Sequence, residues 1–174
     1  MASETTLQRH FAELGLLANL MQNLDYETQL VEQSAEVPYH TLLVELEPDP
    51  LKTPRQMALT FYPIDDDEFE NILLLQYYLD LPFEVPGDHL DSVKKLLVPL
   101  NGRLVLGHFG MTENLDRVNY RYVQVLNSDE LITEGMIGDV LILINYTTVV
   151  LGNAIAQFVA GELSEEQVKA TFSA

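Results

Sequence analysis

The sequence predicts an α+β fold in the order helix, three strands, helix, two strands, helix. Three observations carry this prediction. Apolar residues recur at helical spacing near both ends of the chain. Several middle segments alternate apolar and polar residues, as half-buried strands do. Proline- and glycine-containing breaks separate these segments.

Leu7, Phe11, Leu14, Leu17, Leu20 and Met21 form an apolar stripe, which predicts a helix over about 5–22 ending near Asn23. Residues 28–33 read as a weak strand. Residues 41–47 read as a stronger one, with Leu42, Val44 and Leu46 on one face and Leu43, Glu45 and Glu47 on the other. Pro48, Pro50 and Pro54 mark a loop, because each removes a ladder donor. Residues 55–62 alternate again, with Met57, Leu59 and Phe61 set against Gln56, Ala58, Thr60 and Tyr62. Pro63 and the acidic run Asp65–Glu68 make the next turn. Residues 71–80 carry Leu73, Leu75, Tyr77 and Leu79 on one face and Ile72, Leu74 and Tyr78 on the other. Bounded by Pro63 and Pro82, this short segment reads as a strand, with a helix as its competitor.

Pro86-Gly87-Asp88 opens a second helix, with Asp88 as its cap and Leu90, Val93, Leu96 and Leu97 facing inward. Pro99 and Asn101-Gly102 end it. Residues 103–109 and 118–126 pair as a hairpin across a polar loop. Asn127 stands three residues before Glu130 in a capping-box arrangement, which starts a long helix over about 128–160. Gly135, Gly138 and Gly152 each weaken that helix by about 1 kcal/mol. The β-branched run near Val140–Ile144 could form a strand instead, but the apolar positions 136, 140, 143, 144, 151, 155 and 158 keep helical spacing through it. Gly161 serves as a C-terminal cap. Ser164 with Gln167 repeats the capping box and starts a short last helix. No repeat, low-complexity tract or linker interrupts the chain. A single domain over 1–174 is expected, with its core at about 5–160 and a helical extension over 161–174.

Composition narrows the function. The 174 residues carry 27 acidic and 9 basic side chains, a formal charge of -18, with no Cys. That balance disfavours DNA or RNA as a partner, because phosphate binding is driven by Lys and Arg. Without Cys there is no disulfide framework, zinc ribbon or thiol nucleophile. The chain shows no signal-peptide pattern, and Val140–Leu151 is too short and too polar to span a bilayer, which needs about 20 apolar residues. A cytoplasmic location without membrane insertion is therefore expected. Asn145-Tyr146-Thr147 matches a glycosylation sequon, read here as a chance match.

No motif specifies a reaction. The sequence holds no G-x-S-x-G, Walker loop or G-x-G-x-x-G. Asp65-Asp66-Asp67-Glu68, with Glu70, offers hard oxygen ligands but lacks EF-hand spacing, so it reads as a solvated turn. His10, His40, His89 and His108 lie far apart and read as surface or capping residues rather than zinc ligands. Lys94, Lys95, Arg103, Arg117 and Arg121 gather positive charge in the middle of the chain, where ion pairing with the many acids is expected. No catalytic residue, metal or cofactor is assigned, and a non-enzyme is expected.

The informative signal is apolar. If helices cover one face of an antiparallel sheet, the other face should be polar. Here that outward set contains Leu43, Ala58, Tyr62, Ile72, Leu74 and Tyr78. Such a patch marks a partner or dimer interface, unless the final helices fold over it.

Short motifs add a resemblance. Leu73-Leu74-Leu75-Gln76-Tyr77-Tyr78-Leu79-Asp80-Leu81-Pro82 resembles the leucine-rich strand ending in Leu-Pro of class I type III secretion chaperones. Leu96-Leu97-Val98-Pro99-Leu100-Asn101 resembles the helix end of that family and of YbjN-type proteins. Leu106-Gly107-His108-Phe109 and Arg117-Val118-Asn119-Tyr120-Arg121 look like their hairpin. The resemblance implies a two-layer fold with an antiparallel sheet, a homodimer, and a non-enzymatic role in holding a polypeptide partner. The alternative is a regulatory small-ligand-binding domain of the YbjN type. Its expected mark is a pocket where His108, Tyr120 and Arg121 converge.

Overall fold

The computed structural model describes residues 3–50, 52–63 and 71–171. The chain runs α1 (Glu4–Asn23), β1 (Thr28–Val31), β2 (Thr41–Leu46), β3 (Arg55–Phe61), β4 (Ile72–Glu84), α2 (Leu90–Asn101), β5 (His108–Met111), β6 (Arg117–Asn127), α3 (Glu134–Val159) and α4 (Glu165–Ala170). The strands form one six-stranded antiparallel sheet in the order β1-β2-β3-β4-β6-β5. With four helices among the described residues, the architecture is α+β. The weak first strand is real. It pairs with β2, placing Leu30 opposite Leu42.

The chain divides into two compact units. The first comprises Met1–Leu46, Gln56–Tyr78 and Val123–Val140. Its strands bury alternate residues, as the period of two requires: Leu42, Val44 and Leu46, then Met57, Leu59 and Phe61, then Leu73, Leu75 and Tyr77. The Ser3 side chain caps α1 by accepting the Thr6 N–H at 3.1 Å. The helix buries Thr6, His10, Leu14, Leu17 and Met21. The His10 ring lies 5.3 Å from that of Phe61, which places α1 on the core side of the sheet. The buried stripe is thus turned from the apolar one read in the sequence. Leu7 and Phe11 are only half-buried, while His10 sits in the core rather than at the surface.

The second unit comprises Glu47–Arg55, Leu79–Tyr122 and Leu141–Ala174. Its core joins Leu79 and Leu81 of β4, Val93, Leu96, Leu97 and Leu100 of α2, and Leu141, Ile144, Leu151 and Ile155 of α3. In the β5–β6 hairpin Phe109 faces Tyr120, with their rings 5.2 Å apart and nearly perpendicular. The Asn101 amide accepts from the Phe109 N–H and donates to its C=O, both at 2.8 Å, so it satisfies one residue of edge strand β5. Gly107 has φ +66°, and a Cβ there would run into the Tyr120 hydroxyl and the Arg121 carbonyl oxygen, so only glycine fits.

Several boundaries differ from the sequence reading. β4 runs through Pro82 to Glu84. The Tyr62 N–H donates to the Leu74 C=O at 2.9 Å, and this register leaves Pro82 past the start of β3, where no rung needs its missing donor. Pro99 lies inside α2, and the N-cap of that helix is His89 rather than Asp88. Asn127 ends β6 instead of capping α3. Its Oδ1 accepts the Asp129 N–H at 3.0 Å in a local turn, and Thr133 caps the helix through the Met136 N–H at 3.3 Å. The capping box of Ser164 and Gln167 is formed, and Gly161 holds φ +74° before it. The acidic run Asp65–Glu68 with Glu70 lies outside the described residues.

Candidate functional site

In the first unit the outer sheet face collects all six residues of the expected patch. Leu43 lies on β2, Ala58 on β3, Tyr62 just after β3, and Ile72, Leu74 and Tyr78 on β4. Each alternates with a core residue, so the strand period alone turns them outward. None is buried. Ile72 is 40% exposed, and the others are half-buried. Polar side chains interleave with them. The Tyr62 hydroxyl donates to Gln76 at 2.8 Å, Gln76 reaches Thr60 at 3.4 Å, and Gln56 donates to Glu45 at 2.6 Å. The face is therefore an amphipathic surface held in place by cross-strand bonds.

A second concave surface lies in the same unit, and the sequence reading missed it. A groove of about 300 Å³ runs between the second half of α1 and residues 128–132. Its apolar lining is Leu16, Leu17, Leu20, Leu131 and Ile132, and its acids are Glu13, Asp129 and Glu130. Leu131 is 87% exposed and Leu16 57%. The signal for it was obscured because residues 128–133 read as the first turns of α3. The chain between β6 and Thr133 instead follows an irregular path that projects Leu131 into water.

In the second unit, Arg55 is only 3% exposed. It shares the parity of Met57, Leu59 and Phe61, which was the available sequence signal for its inward position. Its Nε donates to the Glu47 C=O at 2.9 Å, Nη1 to Thr148 Oγ1 at 3.1 Å, and Nη2 to Asn145 Oδ1. Thr148 in turn donates to the Ile144 C=O at 2.8 Å. Burial lowers the guanidinium pKa from its ordinary value, while the negative charges of Asp49 and Glu47 oppose that shift. A cavity of about 60 Å³ beside it is lined by Asp49, Thr53, Leu81, Phe83 and Asn153. That is room for about two waters, well below the usual size of a cofactor pocket.

The sequence matches no known family model and no curated protein.

The residues singled out for a small-ligand pocket do not converge. His108 faces Arg121 across the hairpin, while neighbouring Tyr120 pairs with Phe109 on the opposite face. Tyr120 is fully buried, and its hydroxyl donates to the Leu106 C=O at 2.6 Å. Burial, with a smaller contribution from Tyr122, pushes its pKa up to about 12. Of the basic residues, Arg117 lies 3.8 Å from Glu84, and Arg103 donates to the Lys169 C=O at 3.1 Å. His40 accepts the Gln33 N–H at 3.0 Å, and its ring meets Phe11. The sequon residue Asn145 is occupied by Arg55.

α3 extends beyond the apolar run read in the sequence. By length and composition it is apolar enough to cross a membrane, with 33% of its most apolar window buried. Its buried side carries Ile137, Leu141, Ile144 and Thr148, whereas Met136 and Leu143 of the expected stripe point outward with Ile142 and Tyr146.

Proposed function

We propose that this chain is a non-enzymatic polypeptide-binding domain, working as an adaptor or chaperone and self-associating as a homodimer. The observation that carries the reading is the outer face of β2, β3 and β4. Leu43, Ala58, Leu74 and Tyr78 lie there on adjacent paired strands without being buried. A partner covering that face removes apolar surface from water at about 25 cal/mol per Å². The net charge of -18 keeps a molecule with such a surface soluble and limits indiscriminate association. The exposed side of α3 fits a water-soluble setting, because its other side binds a buried guanidinium through Asn145 and Thr148.

The test compares the intact protein with Leu74→Ser, Tyr78→Ser and the double variant. Affinity capture from native lysate reads the partner, and sedimentation reads the dimer. Far-UV circular dichroism reads the fold. The proposal expects folded variants that lose a stoichiometric polypeptide partner and sediment as monomers. Variants that unfold would make the patch part of the core and overturn it, as would folded variants that keep both associations.

A further inference from the structure

We infer that the groove between α1 and residues 128–132 is a second docking site. Its occupant is a polypeptide segment that presents aliphatic side chains flanked by Lys or Arg. This goes beyond the sheet face and rests on the polypeptide-binding reading only in the class of partner. The groove shares no residue with the sheet patch.

The floor and walls call for aliphatic side chains. Leu16 and Leu131 stand 57% and 87% exposed on opposite sides of a cleft whose base is the fully buried Leu17. At about 300 Å³ the cleft is at the small end of ligand sites, suited to a few inserted side chains rather than a folded domain. One wall is a helix and the other an irregular segment, the setting in which an amphipathic segment lays its apolar face into a groove.

The rim selects charge. Glu13, Asp129 and Glu130 line the groove, and among the described residues no Lys, Arg or His does. The overall charge of -18 extends the same sign over the molecule, so a basic segment is drawn in and an acidic one repelled. The same electrostatics disfavour the competing occupants. A second copy docking groove to groove sets the same three carboxylates against each other, and an anionic lipid surface meets them directly.

Fluorescence anisotropy with two labelled amphipathic peptides of about 14 residues tests this, one built of Leu and Lys and one of Leu and Glu. The Leu/Lys peptide binds and weakens as salt rises from about 0.05 M to 0.5 M, while the Leu/Glu peptide does not bind. Leu16→Ser and Leu131→Ser each weaken binding about tenfold or more. The double variant Asp129→Lys, Glu130→Lys weakens it and flattens the salt dependence. Leu74→Ser with Tyr78→Ser leaves it unchanged. Equal binding of both peptides, no binding of the Leu/Lys peptide, or groove variants that bind like the unaltered protein would overturn the groove. Loss only in the sheet variants would move peptide binding to the sheet face, overturning this site while leaving the proposed function standing. A shift in the sedimentation of the protein alone on Leu16→Ser or Leu131→Ser would make the occupant a second copy and also overturn it.

Discussion

Replacing Arg55 is the most discriminating perturbation of the second unit. The guanidinium holds three acceptors from two directions: the Glu47 C=O, and Asn145 and Thr148 on α3. Arg55→Ala strands two of these, because Thr148 keeps its own bond to the Ile144 C=O. Both stranded acceptors are only part-buried, so each costs about 1 kcal/mol, the low end for an unsatisfied acceptor, and two lost methylenes add about 1.6 kcal/mol. Relief from burying the guanidinium offsets part of this sum, leaving a net loss of about 3 kcal/mol. Arg55→Met keeps the stem's volume and gains the same relief, so its loss should be about half as large. Urea unfolding followed by circular dichroism measures both, with unchanged slopes certifying that the same surface unfolds. If Arg55→Met proves as stable as the unaltered protein, desolvation outweighs the three bonds and the clamp is not stabilising. Equal, small losses in both variants would mean that water already reaches the guanidinium.

Two further predictions concern the β5–β6 hairpin. Gly107→Ala should cost about 3 kcal/mol or more in urea unfolding, because φ is +66° and the new Cβ would lie 2.8 Å from the Arg121 carbonyl oxygen, which cannot rotate away. Gly87→Ala, with nothing within 4 Å, is the control, expected within about 0.5 kcal/mol. Tyr120 gives a pH dependence. Its pKa is raised from 10.0 to about 12 in the fold, so the stability it contributes is complete below pH 10 and is lost as pH rises towards 12. Tyr120→Phe should be less stable at neutral pH, having lost the bond to Leu106, but its melting temperature should fall less steeply across that window. Parallel curves would refute the assignment.

The element types were legible because each rests on a local period. Alternation along residues 41–47, 55–62 and 71–80 marked β2, β3 and most of β4, and it also placed Leu43, Ala58 and Leu74 on the face away from the core. With a period of two, burying one set turns the other outward whatever the sheet packs against. Ser164 and Gln167 marked α4 for a similarly local reason, since a capping box closes within four residues. Asn127 carried the same pattern and did something else, because β6 extended to it and used its backbone in the sheet.

What a local pattern could not decide is the direction in which a helix faces. Helical spacing sets the angles between side chains on one element but leaves open which side meets the sheet. In α1 the core took Thr6 and His10 in preference to Leu7 and Phe11, and in α3 it took Ile137 and Thr148 in preference to Met136 and Leu143. Tertiary packing settled both choices: Phe61 offers a ring to His10, and Arg55 needs the oxygens of Asn145 and Thr148. The groove has the same origin. Its walls, α1 and residues 128–132, are distant in sequence and become a site only when the chain brings them side by side. The sequence by itself determined most of the strands and helices and which strand residues turn outward, because those follow from the geometry of a single element; it did not show that residues 103–107 lie outside β5 or that 128–133 precede α3. Tertiary structure alone decided which helix faces are buried, how Arg55 is satisfied and where the acidic groove opens, because each depends on a partner that no local period encodes.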